Sequence, residues 1–240
     1  MANAVFTIVR NEELFLPIWL KYYSQFFDPE DIYILNHDTT DNSIEKAKEK
    51  FKFNEIKVHW EAIFSPVWLR DTVQEQQHKL LQKYQYVLFA EIDEIVAPDP
   101  AKYKNLKEYI EKCDKDYIRC KGYNVIHNQV AENKPLNLEQ KILRQRTGWC
   151  PYISFNKTLL ARVPLKWAYG FHCLEGEQIE DLKDKEELYL IHLKRMDWDL
   201  FLDRWEKTEV GKVTTARADY YFNESLNNLE EIPLRFRDII

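Results

Sequence analysis

Apolar and polar positions along this chain fall into short blocks whose period switches between strand and helix. Ala4–Val9 is a continuous apolar run, which predicts a buried first strand ending in Arg10-Asn11-Glu12-Glu13. Leu14–Phe27 is dense in apolar and aromatic residues and predicts a mostly buried helix, with acids in its first turn to suit the helix dipole. Asp31–Leu35 predicts a second strand, broken by the polar turn Asn36–Ser43. Ile44–Phe53 reads as a charged amphipathic helix and Ile56–Trp60 as a third strand. Pro66 opens a helix over Val67–Tyr84, with Leu69, Val73, Leu80, Leu81 and Tyr84 at helical spacing. Tyr86–Ala90 is a fourth buried strand. Such alternation predicts an α/β fold, a mostly parallel sheet flanked by helices with right-handed crossovers.

After Val96 the pattern loosens. Pro98 and Pro100 are expected to end regular structure, and Tyr103–Lys112 to form another helix. Strand-like runs follow at Tyr117–Cys120, Tyr123–His127, Ile153–Phe155 and Thr158–Arg162, predicting a mixed, loop-rich C-terminal half. Tyr189–Leu193 predicts a late strand. Asp197–Trp205 predicts a helix, with Trp198, Phe201, Leu202 and Trp205 on one face. Asn227–Ile240 reads as a docked or partly disordered tail. No internal repeat interrupts the series, and 240 residues fit one domain, 1–240.

Composition narrows the function classes. A net charge of −6 argues against a nucleic-acid partner, which would call for a basic excess. No apolar run reaches the roughly 18 residues of a membrane-spanning helix, although peripheral membrane contact stays open. The first strand begins at once, with no charged leader or cleavage site, so no signal peptide and a cytoplasmic location are expected. Cys113, Cys120, Cys150 and Cys173 show no C-x-x-C spacing and are expected to be free thiols.

The candidate chemistry lies at strand ends. Tyr86–Ala90 runs into Glu91, Asp93 and Glu94, at the carboxyl end where open α/β sheets bind ligands. Glu91 and Asp93 are two apart, so on an extended backbone they share a face and suit a hard cation, Mn²⁺ or Mg²⁺. The plainer alternative is a solvated acidic turn. Arg10-Asn11-Glu12 and the Asn36–Asp41 turn end two further strands on the same side. With five Gly and no G-x-G-x-x-G or Walker motif, dinucleotide and P-loop enzymes are excluded.

Ile8–Glu13 followed by a Trp- and Tyr-bearing helix, His37–Ser43 and Phe89–Glu94 resemble, in order, motifs of family-2-like glycosyltransferases of the GT-A fold. Glu91-Ile92-Asp93-Glu94 looks like their DxD motif with Glu in the first acidic place. Trp167–His172 and Tyr189–Arg195 resemble the C-terminal region of a bacterial branch. The resemblance implies a metal-dependent transferase that moves a sugar from a nucleotide-diphosphate donor, UDP-sugar foremost, to a glycan or lipid-linked acceptor. Surface polysaccharide synthesis is the expected setting. It implies a nucleotide-sugar-binding half (1–100), an acceptor half (101–210) and a tail (211–240). Arg10, Asn11, Glu12 and Asp38 would line base and ribose, Arg70 the diphosphate or sugar, and Glu91 the ribose or a metal-bound water. Asp93 would bind the metal, joined by His192 or His172.

An inverting enzyme needs a carboxylate base, and nothing in the sequence chooses among Glu175, Glu177, Glu180 and Asp181, with Glu175 and Asp181 the weak candidates. Two other classes stay in view: a nucleotidyltransferase that activates a sugar phosphate, and a non-catalytic module that binds nucleotide-sugar. Each residue also has a structural alternative. Asp38 competes with Asp41 as cap of the next helix, Glu94 reads as structural, and Arg10 and Arg70 as surface ion pairs. His59, His78 and His127 read as bland, and Trp149, Tyr152, Trp167 and Tyr169 as core or acceptor platform.

Overall fold

Two sheets share one core. The computed structural model of the chain describes residues 2–60, 65–178, 187–207 and 226–240. The first sheet holds β1 (Ala4–Val9), β2 (Ile32–His37), β3 (Asn54–Val58), β4 (Val87–Phe89), β6 (Tyr117–Arg119) and β9 (Thr158–Ala161), in the order β3-β2-β1-β4-β9-β6. Its first four strands are parallel, β9 runs antiparallel to β4, and the edge strand β6 runs antiparallel to β9. The second sheet holds β5 (Glu94–Pro98), β7 (Lys121–Ile126), β8 (Gly148–Pro151), β10 (Leu188–His192) and β11 (Glu230–Glu231), in the order β11-β8-β7-β10-β5.

The parallel strands explain the unbroken apolar runs. Ala4, Val5, Phe6 and all of β4 are fully buried, because a strand flanked on both edges and covered on both faces shows no polar side. Helices α1 (Phe15–Tyr23) and α2 (Ser43–Lys50) touch each other beside the β1–β2–β3 crossovers. The connection through α3 (Pro66–Leu81) runs back across the sheet to β4, so right-handed crossovers place it on the opposite face. The direction of winding therefore reverses between β1 and β4, and a ligand crevice belongs at that point.

Helix α1 differs from the expected Leu14–Phe27 by ending at Tyr23 and carrying no acid in its first turn. Its hydroxyls close the second sheet. Tyr22 donates to the Val96 carbonyl at 2.9 Å, and the Val96 N–H donates to the Tyr23 hydroxyl at 2.9 Å. Edge strand β5 thus finds partners for backbone groups that would otherwise lie open to another chain.

Two further expectations have different outcomes. Regular structure ends as expected at Pro98, the last residue of β5, which an edge strand tolerates because Pro costs no ladder bond there. Ile153–Phe155 is a single 3-10 turn, because Tyr152 N–H bonds to the Gly122 carbonyl and the chain reverses over Gly122. A Cβ at Gly122 would lie 2.3 Å from that of Phe155, so only glycine allows this approach. Strand β8 was not anticipated. Along the chain α4 (Leu106–Lys112) follows and contacts β5, α5 (Ile142–Gln145) precedes β8, and α6 (Trp198–Lys207) follows β10. The described tail is docked: β11 pairs with β8, and Ile232 and Phe236 are fully buried.

Candidate active site

The chain leaves the first sheet after β4 and enters the second at β5, and the acids lie in the turn between them. Glu94 N–H bonds to the Glu91 carbonyl at 2.9 Å, so residues 91–94 form a tight turn. This corrects the expectation that Glu91 and Asp93 share an extended face. The turn sends them to different partners.

Asp93, buried, faces the end of β10. Its Oδ1 lies 3.6 Å from His192 Nε2, and its Oδ2 accepts from Arg204 of α6 at 2.6 Å. Arg204 also donates to Glu12 at 2.6 Å, beyond the end of β1. His192 Nδ1 meets Asn124 Oδ1 of β7 at 2.6 Å, and the ring packs on Phe155 at 4.2 Å between centroids. An Nδ1–H donated to Asn124 leaves the Nε2 lone pair turned to Asp93, so two acceptors face each other. A carboxylate oxygen and an imidazole nitrogen so placed fit a divalent cation whose remaining ligands are phosphate and water oxygens. Among the described residues no group of three or more His, Cys, Asp or Glu converges, so the protein would supply two ligands.

Glu91 and Glu94 face the other way. Lys157, just before β9 and 1% exposed in its side chain, pairs with Glu91 and, at 2.7 Å, with Glu94. Glu94 is fully buried and also accepts from the Glu91 N–H at 3.0 Å, in keeping with its structural reading. Glu91 keeps a third of its side chain open, but its carboxylate is held by Lys157 instead of standing beside Asp93.

The titration of the cluster follows from burial and charge. Burial alone would raise the Asp93 carboxyl, but the charge of Arg204 above all, with that of Lys194, holds it well below the usual carboxylate range. Burial pushes Glu12 up to about 7 against the pull of Arg204. One guanidinium cannot fully neutralise two buried carboxylates, and Glu12 carries the deficit. Burial likewise raises Glu94 to about 7 and lowers His192 to about 3.

Acid is therefore expected to unfold the wild type more readily than His192→Gln. Folded His192 stays neutral while the unfolded ring takes up a proton, so its contribution is complete above pH 6.5 and is lost as pH falls toward 3. From pH 6.5 to pH 5 the loss is about 2 kcal/mol. Glu12 and Glu94 have the opposite sign: their contribution is full below 4.5 and is lost as pH rises toward 7. Both are present in each protein and cancel in the difference. Urea unfolding at pH 7 and pH 5 reads it, and equal losses in the two proteins would count against a buried neutral His192.

The loops after β1 and β2 are tied to this cluster. Asn11 lies in the left-handed region at φ 57, and its Oδ1 accepts from Thr40 N at 2.8 Å and Asp41 N at 3.2 Å. Asp38 is likewise left-handed at φ 47, a conformation that non-glycine residues adopt at a cost and that gathers at functional sites. It is exposed, and pairs with His59 at 2.6 Å, so His59 is not bland. Asn42, not Asp41, stands at the N-cap of α2 and makes no side-chain cap bond; Asp41 forms an Asx turn just before it, its carboxylate accepting from Ser43 N at 2.9 Å. Contacts thus run without a break from the Asn36–Asp41 turn through Asn11, Glu12 and Arg204 to Asp93 and His192. Beside the turn, His37 packs on Trp68 at 4.4 Å and Trp68 stacks on Trp60.

Other candidates sit elsewhere. His172 bonds to the Ser154 carbonyl and feels the charges of Lys157 and Glu91, not that of Asp93. Arg70 pairs with Asp71 at 2.7 Å and Glu175 at 3.5 Å, and its guanidinium covers the Tyr169 ring. Arg10 is exposed at the end of β1, where its charge acts on His37. Glu177 pairs with Arg119, and Glu180 and Asp181 lie outside the described residues. His78 and His127 bond to backbone carbonyls, as bland histidines do. Trp149 and Trp167 are core, whereas Tyr152 and Tyr169 are exposed. Arg204, Lys157 and Asn124 had no signal in the sequence, since each acts across 66 or more positions.

Among the described residues no helix is long and apolar enough to cross a membrane. No protein-family model and no curated protein matches this chain. Among solved structures it is similar to a CMP:2-keto-3-deoxy-manno-octonic acid synthetase complexed with CTP, over 97% of this chain and 89% of that one, at 10% identity and a TM-score of 0.33.

Proposed function

We propose that this chain is a glycosyltransferase of the GT-A type, which moves a sugar from a nucleotide-diphosphate donor, UDP-sugar first, to a hydroxyl acceptor on a glycan or lipid-linked carrier. The observation that carries the reading is the convergence of Asp93 and His192, with Glu12 one guanidinium away, at the point where the sheet reverses its winding. The Asn36–Asp41 turn and Asn11 offer polar groups for base and ribose beside the Trp60–Trp68 rings. Asp93 and His192 would hold a divalent cation, Mn²⁺ or Mg²⁺, which neutralises the charge developing on the departing diphosphate. The protein's own cations at Arg204, Lys194 and Lys157 add to the same electrostatic stabilisation. Glu175, half-exposed beside Arg70, is the described candidate for the base that takes the acceptor proton, and such a base goes with inversion. A cytoplasmic enzyme with peripheral membrane contact suits a lipid-linked acceptor.

A thermal-shift screen of UDP-, GDP-, CMP- and dTDP-sugars, each with and without Mn²⁺, tests this reading. A donor that binds only the folded state raises the midpoint, by an amount set by its occupancy. One donor class should stand out, and only with the cation. No response from any of them sinks the proposal. The second reading is nucleotidyl transfer to a sugar phosphate, an activity that the CTP-bound synthetase brings to mind without arguing for it. Against it, the turn after β1 is Arg-Asn-Glu-Glu with no glycine to cradle a triphosphate. Pyrophosphate release from a nucleoside triphosphate would establish it, and donor binding without turnover would leave the non-catalytic module.

A further inference from the structure

Arg204 sits where an approaching cation would meet it. Its guanidinium divides between Asp93 and Glu12 at 2.6 Å each and lies over the Phe15 ring at 4.6 Å. Helix α6 holds it there. Asp197 at the helix start pairs with buried Arg146, and the Trp198 N–H donates to His127 Nδ1 at 3.1 Å. Arg204 follows seven residues later, two turns on and over the same face. Its Nε is buried and makes no hydrogen bond among the described residues.

The charge balance has a consequence for loading. Among the described residues Asp93 is the one carboxylate paired with His192, and it already answers Arg204 directly and feels Lys194. A free dication entering there meets two positive groups and a carboxylate whose charge is spent. At an effective dielectric of about 20, repulsion between a dication and a guanidinium at contact range is worth well over tenfold in affinity. A diphosphate reverses the sign, because it brings its own negative charge and matches the planar donors of a guanidinium.

We propose that Arg204 makes the Asp93–His192 pair a receptor for a cation–diphosphate complex and turns away the free cation. This rests on the nucleotide-sugar reading, which leaves the order of loading open. Arg204 is here a positioning and selecting residue. It fixes Oδ2 of Asp93, leaves Oδ1 toward His192, and adds the charge that discriminates between the two forms of the metal.

Mn²⁺ binding to the full chain, followed by electron paramagnetic resonance with and without UDP, tests the proposal. The wild type should bind Mn²⁺ alone at least tenfold more weakly than with UDP. Arg204→Met should bind free Mn²⁺ at least tenfold more tightly than wild type, yet Mn²⁺–UDP at least tenfold more weakly. Arg204→Lys, which keeps the charge, should stay near wild type in both. Equal affinity of the wild type for Mn²⁺ with and without UDP overturns the proposal and needs no variant. So does loss of both affinities together in a folded Arg204→Met, which is the signature of a merely structural residue. Failure of UDP to bind the wild type under any condition refutes the nucleotide-sugar reading instead, and the free-Mn²⁺ comparison between wild type and Arg204→Met then still judges Arg204.

Discussion

Asp93→Asn should lower nucleotide-sugar turnover by at least about 100-fold while leaving the protein folded. Asn keeps the shape of the side chain but removes the charge that faces His192. The fold tolerates the change because Arg204 retains its second carboxylate. Glu12 is held up partly by the Asp93 charge, so losing that charge lets Glu12 ionise more readily and take over the guanidinium. The stability cost should therefore be about 1–2 kcal/mol, near that of one charge-assisted hydrogen bond, and below the 3–5 kcal/mol of a stranded buried ion. Release of nucleoside diphosphate from the donor, measured beside a thermal melt of the same preparation, separates the two effects. Full activity in a folded Asp93→Asn protein would remove the metal-dependent reading.

Lys157→Met should give the opposite profile, with a large loss of stability as its first effect. Lys157 is buried to 1% exposure between Glu91 and Glu94, and Glu94 is fully buried. Burial would lower the Lys157 pKa, but the two carboxylates raise it, so the ammonium stays charged. Met fills a similar volume and leaves two carboxylates without their cation, which costs about 3–5 kcal/mol. For a chain of this length that is a fall in melting temperature of roughly 10 °C. Protonation of the stranded acids should restore part of it, so the gap from wild type should narrow as pH falls from 7 to 5. A gap that does not change with pH would mean that Lys157 contributes packing instead of charge. The double variant Lys157→Met, Glu94→Gln should recover more than half of the loss.

These two lysine- and arginine-centred contacts mark the limit of what the sequence discloses. The parallel half of the fold was legible because β1 and β4 are buried on both faces and write their burial as unbroken apolar runs. The longer helices were legible within a few residues from their apolar spacing, whereas the four-residue α5 was not. Strand β8 was not, because Gly148-Trp149-Cys150-Pro151 has no alternation, and its place is fixed by β7 and by a tail some 80 positions later. Strand β5 was not, because it opens on Glu94, an acid that belongs in a strand only once Lys157 is beside it. The same holds for the site. Asp93, Asp38 and His192 stand at strand ends, and a strand end is visible in sequence. His172 stood equally well in sequence, and only the fold shows its ring tied to the Ser154 carbonyl, beside Lys157 and Glu91. Asn124 lies on a neighbouring strand and His59 just past the end of one, and strand register brings them to His192 and Asp38.

The reach of Arg204 also bears on how the protein is made. Its two carboxylates lie 111 and 192 positions earlier in the chain. A ribosome delivers Glu12, the first parallel strands and the Glu91–Glu94 turn long before α6 emerges. During that interval the first half can gather its apolar strands, but Asp93 and Glu12 have no guanidinium between them. Contacts this distant in sequence close late and slowly. The acidic crevice is thus finished only once α6 has left the ribosome, and a chain released before residue 204 would lack the guanidinium at the centre of its site.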